Sequence, residues 1–127
     1  MLHHISFGVR ELERSAIFYD GALATLGYIR VWSDDDAIGY GLPGGDDLLC
    51  IKQRAATHPP GAGFHLALTA SSHEAIQAFH TAALQLGGQD NGEPGLRPDY
   101  GDHYYAAFVL DPDGYALEAV LNAPCTC

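Results

Sequence analysis

The chain of 127 residues repeats its own pattern at a displacement of 61 positions. The shift places His4 on His65 and Phe18 on Phe79, and the register continues without a gap to a shared glycine at Gly27. A repeat at a fixed spacing indicates a structural unit that occurs twice, and so short a unit buries its apolar face only against its neighbour. The sequence therefore predicts two small modules around one core.

Composition and charge indicate a folded protein that does not bind polyanions. Apolar residues make up 47% of the chain and charged residues 17%, a mixture that supports a buried core. Sixteen acidic residues against six basic ones give a net charge of −10, which repels nucleic acid and anionic membrane surfaces. No membrane span or signal peptide is evident, so we expect a cytoplasmic protein.

The three cysteines do not suggest a disulfide framework, because the number is odd and two of them lie at the C-terminus. We expect Cys125 and Cys127 to be free thiols, the alternatives being metal binding or an intermolecular bridge.

Each module is expected to have the order βαβββ, which gives an α+β fold. In the first copy, alternation over residues 2–9 predicts a strand, and helical spacing from Glu11 to Leu26 predicts a helix that Gly27 ends. Three further strands are expected at 28–33, 37–41 and 47–53.

The second copy follows the same plan. A strand precedes a helix that a capping box of Ser71 and Glu74 opens. A weak strand near Gln89, a loop over 91–105, and strands at 104–110 and 115–122 complete it. We expect a single domain over residues 1–127, with module 1 at about 1–56, a linker at about 54–63 and module 2 at about 63–123. The strands should form a cup-shaped mixed sheet with both helices outside.

Strand alternation predicts a metal site in this cup. The apolar residues of each first strand pack on a helix, which turns His4 and His65 toward the concavity, and the same rule turns Glu118 of the last strand there. Two imidazoles and a carboxylate suit a divalent ion such as Fe, Mn, Ni, Co or Zn. The alternative for each side chain is structural, a hydrogen-bonded histidine or a solvated carboxylate.

The same residues carry a resemblance to the vicinal oxygen chelate superfamily, which includes glyoxalase I, extradiol dioxygenases, and the fosfomycin- and bleomycin-resistance proteins. The resemblance spans essentially the whole chain. Its motifs are His4-Ile5 with Leu12, Ser15, Phe18-Tyr19 and Leu26-Gly27, then Gly63-Phe64-His65-Leu66-Ala67, and finally Asp111-Pro112-Asp113-Gly114-Tyr115-Ala116-Leu117-Glu118.

The resemblance implies paired βαβββ modules around a divalent metal, with His4, His65 and Glu118 at ligand positions. It also implies a homodimer, in which the cup closes either within one chain or between two. Glyoxalase-like members have a fourth ligand, a glutamate, where this chain has Cys50. A thiol cannot replace a carboxylate as the base of glyoxalase I, so the alternatives for Cys50 are a thiolate ligand and a small buried apolar residue.

The loop over 91–105 supplies candidate substrate-binding residues. A guanidinium, phenols and an imidazole are suited to orient an oxyanion-bearing or aromatic small molecule at the mouth of the cup. The alternative is that the rings only pack the loop and the arginine pairs with an acid. The candidates are Arg97, Tyr100, His103 and Tyr105.

Two functions follow from these residues. The first is a metal-dependent lyase, isomerase or dioxygenase that acts on a small oxygen-bearing substrate. The second is a metal-free protein of the bleomycin-resistance type that sequesters a small molecule. The sequence identifies no catalytic residue for either function.

Overall fold

The computed structural model describes residues 1–124 and contains two helices and eight strands, in the order βαβββ twice. The predicted α+β fold of two tandem βαβββ modules is confirmed. Cys125 and Cys127 lie outside the described residues. The elements are β1 Ile5–Val9, α1 Leu12–Ala24, β2 Ile29–Ser33, β3 Ala37–Gly41, β4 Leu49–Gln53, β5 Leu66–Thr69, α2 His73–Gln85, β6 Gln89–Leu96, β7 Tyr104–Leu110 and β8 Ala116–Asn122.

The strands form two four-stranded mixed sheets, one from each module. Their orders are β1-β4-β3-β2 and β5-β8-β7-β6. The first strand of each module lies parallel to the last, and the other neighbours are antiparallel, so both sheets are mixed. Consequently β1 and β5 are both edge strands with an unpaired outer side.

The repeat is visible in the register of the strands. In module 1 Ile5 pairs with Leu49, and in module 2 Leu66, which is displaced from Ile5 by 61 residues, pairs with Leu117. The two helices also start at this displacement. Neither helix of residues 1–124 is long and apolar enough to cross a membrane.

The helix ends differ from the prediction in one detail. Ser72, and not Ser71, is the N-cap of α2, because Ser72 has the extended backbone there and its hydroxyl accepts a hydrogen bond of 3.0 Å from the Ala75 N–H. Gly27 and Gly87 follow the two helices with φ values of 89° and 108°, which glycine adopts without strain.

One hydrophobic core receives side chains from both helices and both sheets. Phe18 of α1 and Phe79 of α2 are fully buried in it, as are Leu117 and Ala119 of β8. His80 of α2 is also buried. Its Nε2 lies 2.9 Å from the Asp90 carboxylate.

Strand β6 extends to Leu96, where the sequence predicted a loop from residue 91. Its pairing with β7 is irregular, with register shifts on either side of Gly92. Glycines and Pro94 within the strand obscure the alternation that would otherwise indicate it.

The turn between β7 and β8 joins the two modules through a buried carboxylate. Asp111 accepts a hydrogen bond of 2.6 Å from the Tyr19 hydroxyl of α1 and two more from the N–H groups of Asp113 and Tyr115. Burial raises the pKa of Asp111 despite these donors, and burial beside that carboxylate raises the pKa of Tyr19. Arg14 of α1 adds a contact of 2.9 Å to Asp113.

We expect the substitution Tyr19→Phe to lower the free energy of unfolding by about 1–3 kcal/mol, because it removes one partner from a buried carboxylate. Urea unfolding at pH 7 measures the loss. Tyr28→Phe is the matched control, since the Tyr28 hydroxyl has no hydrogen bond within residues 1–124, and it should change stability by less than about 0.5 kcal/mol. Equal effects of the two substitutions would show that the Tyr19 hydroxyl contributes nothing specific.

Candidate metal and substrate site

The open face of the module 2 sheet, which points away from the helices, brings His65 and Glu118 together. His65 immediately precedes β5 and Glu118 lies in β8, and their Nε2 and Oε1 atoms are 3.0 Å apart. The Glu118 side chain is only 1% exposed, whereas that of His65 is 51% exposed. A half-exposed imidazole thus stands between solvent and a buried carboxylate.

Alternation along β8 explains this placement. Leu117 and Ala119 face the core, so Glu118 between them turns to the open face. Ala67 of β5 pairs with Glu118, and His65 lies two residues earlier on the same side. The meeting of these two predicted ligands therefore follows from the period of the strands.

Tyr104 also contacts Glu118, although it was not among the predicted site residues. Its hydroxyl donates a hydrogen bond of 2.5 Å to Oε2 of Glu118. Burial, followed by this hydrogen bond and the carboxylate charge, raises the pKa of Tyr104 to about 12. The strand alternation could have identified this residue. Tyr104 lies four positions before Phe108 and therefore on the same face of β7, and Phe108 pairs with Glu118.

His4, the third predicted ligand, lies apart from this pair. It is exposed before β1, and its Nδ1 is 2.8 Å from that of His3. Over residues 1–124, no three His, Cys, Asp or Glu side chains lie close enough to hold a metal ion. The single chain therefore offers two of the three predicted ligands at one place.

A cavity of about 210 Å³ opens between the two unpaired sheet edges, β1 and β5. His3 and His4 line it from one side, and Leu66 and Thr69 line it from the other. The rest of its wall is largely apolar. His4 thus lies at an open groove and not at the His65–Glu118 pair.

Cys50 occupies the position in module 1 that Glu118 occupies in module 2. It pairs with Ser6 of β1 as Glu118 pairs with Ala67 of β5. Cys50 is 3% exposed, and burial raises the pKa of its thiol above the usual value, although Ser6 and Lys52 act in the opposite direction. These surroundings favour a protonated, covered thiol.

The four predicted substrate-binding residues are divided between two faces. Arg97 lies on the open face, with its Cζ 5.3 Å from the centre of the Phe108 ring. Tyr100 is exposed and packs edge-on against Tyr104, with ring centres 5.2 Å apart. His103 is exposed in the turn before β7.

Tyr105 lies on the helix side of the sheet, contrary to the expectation that it would line the cup. Its ring stacks on His73 with centres 3.8 Å apart, and its hydroxyl accepts a hydrogen bond from Gln77. Successive residues of a strand point to opposite faces, so Tyr105 and its neighbour Tyr104 cannot both reach Glu118.

Comparisons with known proteins agree with this fold. The family model described as Glyoxalase/Bleomycin resistance protein/Dioxygenase superfamily matches residues 1–119. A glyoxalase/bleomycin resistance protein from Albidiferax ferrireducens T118 is 34% identical, with 92% of this chain and 95% of that chain covered and a TM-score of 0.80. The chain therefore belongs to this superfamily, as the resemblance to vicinal oxygen chelate proteins implied.

Two more distant solved structures share the fold. The fosfomycin resistance protein FosX from Mesorhizobium loti is 19% identical, with 97% and 92% of the two chains covered and a TM-score of 0.71. A bleomycin resistance determinant encoded on the transposon Tn5 is 21% identical, with 94% and 95% covered and a TM-score of 0.63. A search of curated proteins finds no match.

We expect Cys50 to react slowly with iodoacetamide, because its thiol is covered and its raised pKa leaves little thiolate at pH 8. In a Cys125→Ser, Cys127→Ser variant, alkylation of the native chain should be at least about tenfold slower than that of the urea-unfolded chain. Mass spectrometry measures both rates. Alkylation of the native chain as fast as that of the unfolded chain would contradict a covered thiol.

Proposed function

We propose that the protein is a divalent-metal-dependent enzyme that acts on a small oxygen-bearing substrate by lyase, isomerase or dioxygenase chemistry. The contact between His65 and Glu118 carries the proposal, because an imidazole nitrogen and a carboxylate oxygen 3.0 Å apart on an open face fit adjacent ligand positions. This donor set accepts Fe, Mn, Ni, Co or Zn. When bound, the ion supplies a Lewis acid for neighbouring substrate oxygens.

The residues of this chain have distinct tasks in the proposed site. Glu118 supplies a carboxylate that β8 holds almost fully buried, and the Tyr104 hydroxyl orients it by binding Oε2. His65 supplies an imidazole with solvent access, through which a small molecule can approach. Hydrogen-bond partners that orient a ligating carboxylate are a regular feature of metal sites.

We assign the third ligand to His4 of a second copy of the chain, which makes the protein a homodimer. Support comes from the exposure of His4, its separation from His65 and Glu118, and the open edges of β1 and β5 beside it. A twofold dimer would form two equivalent sites, each with His4 from one copy and the pair from the other.

A metal-free protein that sequesters a small molecule is the second candidate. The observation that favours it is that both oxygens of Glu118 already have a partner, one in His65 and one in Tyr104. Such a network satisfies a buried carboxylate without an ion. Metal content therefore decides between the two functions.

We expect protein purified without chelator to contain about one divalent ion per chain, and His65→Ala or Glu118→Ala to reduce this content below about a tenth, because the two remaining ligands hold the ion weakly. Elemental analysis measures it. His58→Ala, at an exposed position in the linker, is the matched control and should keep the metal. An unmodified chain that takes up no ion even when Fe, Mn, Ni, Co and Zn are supplied would eliminate the metal-dependent enzyme.

Mixing two defective variants tests the shared site. His4→Ala and Glu118→Ala chains should each lack metal, but unfolding and refolding them together forms mixed dimers in which one of the two sites is intact. Half of randomly paired dimers are mixed, so about a quarter of the full metal content should return. A site within one chain would show no recovery at all.

A further inference from the structure

Within residues 1–124 Arg97 has no carboxylate at salt-bridge distance, a property that it shares with Arg54. Arg10, Arg14 and Arg30 each contact an aspartate. The hydrogen bonds of Arg97 go only to backbone carbonyls, at 2.6 Å to Glu93 and 3.5 Å to Leu96. Arg97 is distinguished from Arg54 by its place, because its guanidinium lies over the Phe108 ring on the sheet face that carries Glu118.

The strand beneath Arg97 is shaped to receive its guanidinium. A Cβ atom at Gly92 would lie 3.4 Å from Nη2 of Arg97 and 2.9 Å from the Phe108 ring, and one at Gly95 would lie 3.2 Å from Nη1. The guanidinium therefore rests on two positions that lack side chains, against the face of Phe108. The carbonyl of Glu93 fixes one of its nitrogens.

Phe108 links this cation to the candidate metal ligands. It pairs with Gly92 of β6 and with Glu118 of β8, so Arg97, Phe108 and Glu118 share one face of the sheet. The Phe108 ring also lies edge-on to the His65 ring, with centres 6.3 Å apart. A small molecule bound at His65 would therefore extend over the Phe108 ring to reach Arg97.

We propose that Arg97 binds an oxyanion of the substrate, a carboxylate or a phosphate-type group, while the opposite end of the same molecule occupies the His65–Glu118 site. This inference rests on the proposed function for that second end. A planar guanidinium offers parallel N–H donors to two oxygens of an anion, and its fixed position lowers the entropy lost on binding. The substrate is thus a small acid that also carries the reacting oxygens.

Binding of simple anions to chelator-treated protein tests the subsite without the metal. The probes are malonate, inorganic phosphate and the neutral malonamide, titrated at fixed ionic strength and followed by NMR of the arginine side-chain Nε–H groups. The unmodified chain should bind malonate or phosphate, and the stronger of the two identifies the class of anion. Malonamide should bind at least about tenfold more weakly.

Three variants distinguish a specific effect of Arg97 on anion binding from the effect of losing any positive charge. Arg97→Gln should weaken anion binding at least about tenfold, and Arg97→Lys should restore only part of it, because lysine keeps the charge without the planar donors. Arg54→Gln removes the same charge from an exposed arginine after β4 and should leave binding unchanged. Circular dichroism confirms that each variant is folded.

The outcome is independent of the metal test. His65→Ala should lose metal and keep anion binding by Arg97, whereas Arg97→Gln should keep metal and lose anion binding. Anion binding that is unchanged in Arg97→Gln, or lowered equally in Arg54→Gln, would overturn the oxyanion subsite while leaving the metal site in place. A chain without metal would instead overturn the proposed function.

Discussion

The hydrogen bond from Tyr19 to Asp111 holds together the two modules that the rest of the structure is built on. It joins helix α1 of the first module to the turn that starts β8 of the second. A buried carboxylate is strongly unfavourable without donors, and the Tyr19 hydroxyl and two backbone N–H groups supply donors to Asp111. Glu118 follows this turn in β8, so the contact ties the strand that carries Glu118 to the other module.

The buried carboxylates of Asp111 and Glu118 differ in their access to solvent. Asp111 accepts three hydrogen bonds from within the fold and is 3% exposed. Glu118 is equally buried, but one of its two partners, His65, is half exposed. Because His65 is exposed to solvent, Glu118 can exchange its contact with His65 for a contact with a ligand. Asp111 cannot exchange Tyr19 in this way without separating the modules. This difference in access distinguishes a structural acid from a candidate ligand.

Local patterns in the sequence were sufficient for the modules, for the helix and strand order, and for the meeting of His65 with Glu118. Each of these depends on a short period that the backbone imposes. The separation of His4 from that pair was not predictable, because it depends on how two sheets pack, which no local alternation encodes. The part of β6 beyond residue 91 was not predicted, because its glycines lack the side chains whose alternation indicates a strand.

Tyr105 is a different kind of error, because the sequence contained the correct answer. Ala107 and Val109 lie on the same face of β7 as Tyr105, and both belong to the core. Extending the alternation back by two residues places Tyr105 on the helix face. The strand predicted at 104–110 already included Tyr105, but the residue was treated as part of the loop over 91–105 and its face was not assigned. The face of each strand residue therefore has to be assigned before that residue is placed in a site.

The duplication preserved the backbone register and changed the side chains on it. Where module 2 has Phe108 opposite Glu118, module 1 has Gly39 opposite Cys50. The Trp32 indole fills the space of the missing side chain, since a Cβ at Gly39 would lie within 2.3 Å of its nitrogen. The open face of module 1 is therefore more apolar at the position where that of module 2 carries a carboxylate.

This asymmetry restricts what the proposed dimer can enclose. If module 1 of one copy closes over module 2 of the other, an indole and a covered thiol face a carboxylate, an imidazole and a guanidinium. A molecule that fits between them has oxygens along one side and an apolar surface along the other. Because both charged ends of the proposed site lie on module 2, that module sets the polar specificity and module 1 contributes His4 and exclusion of water.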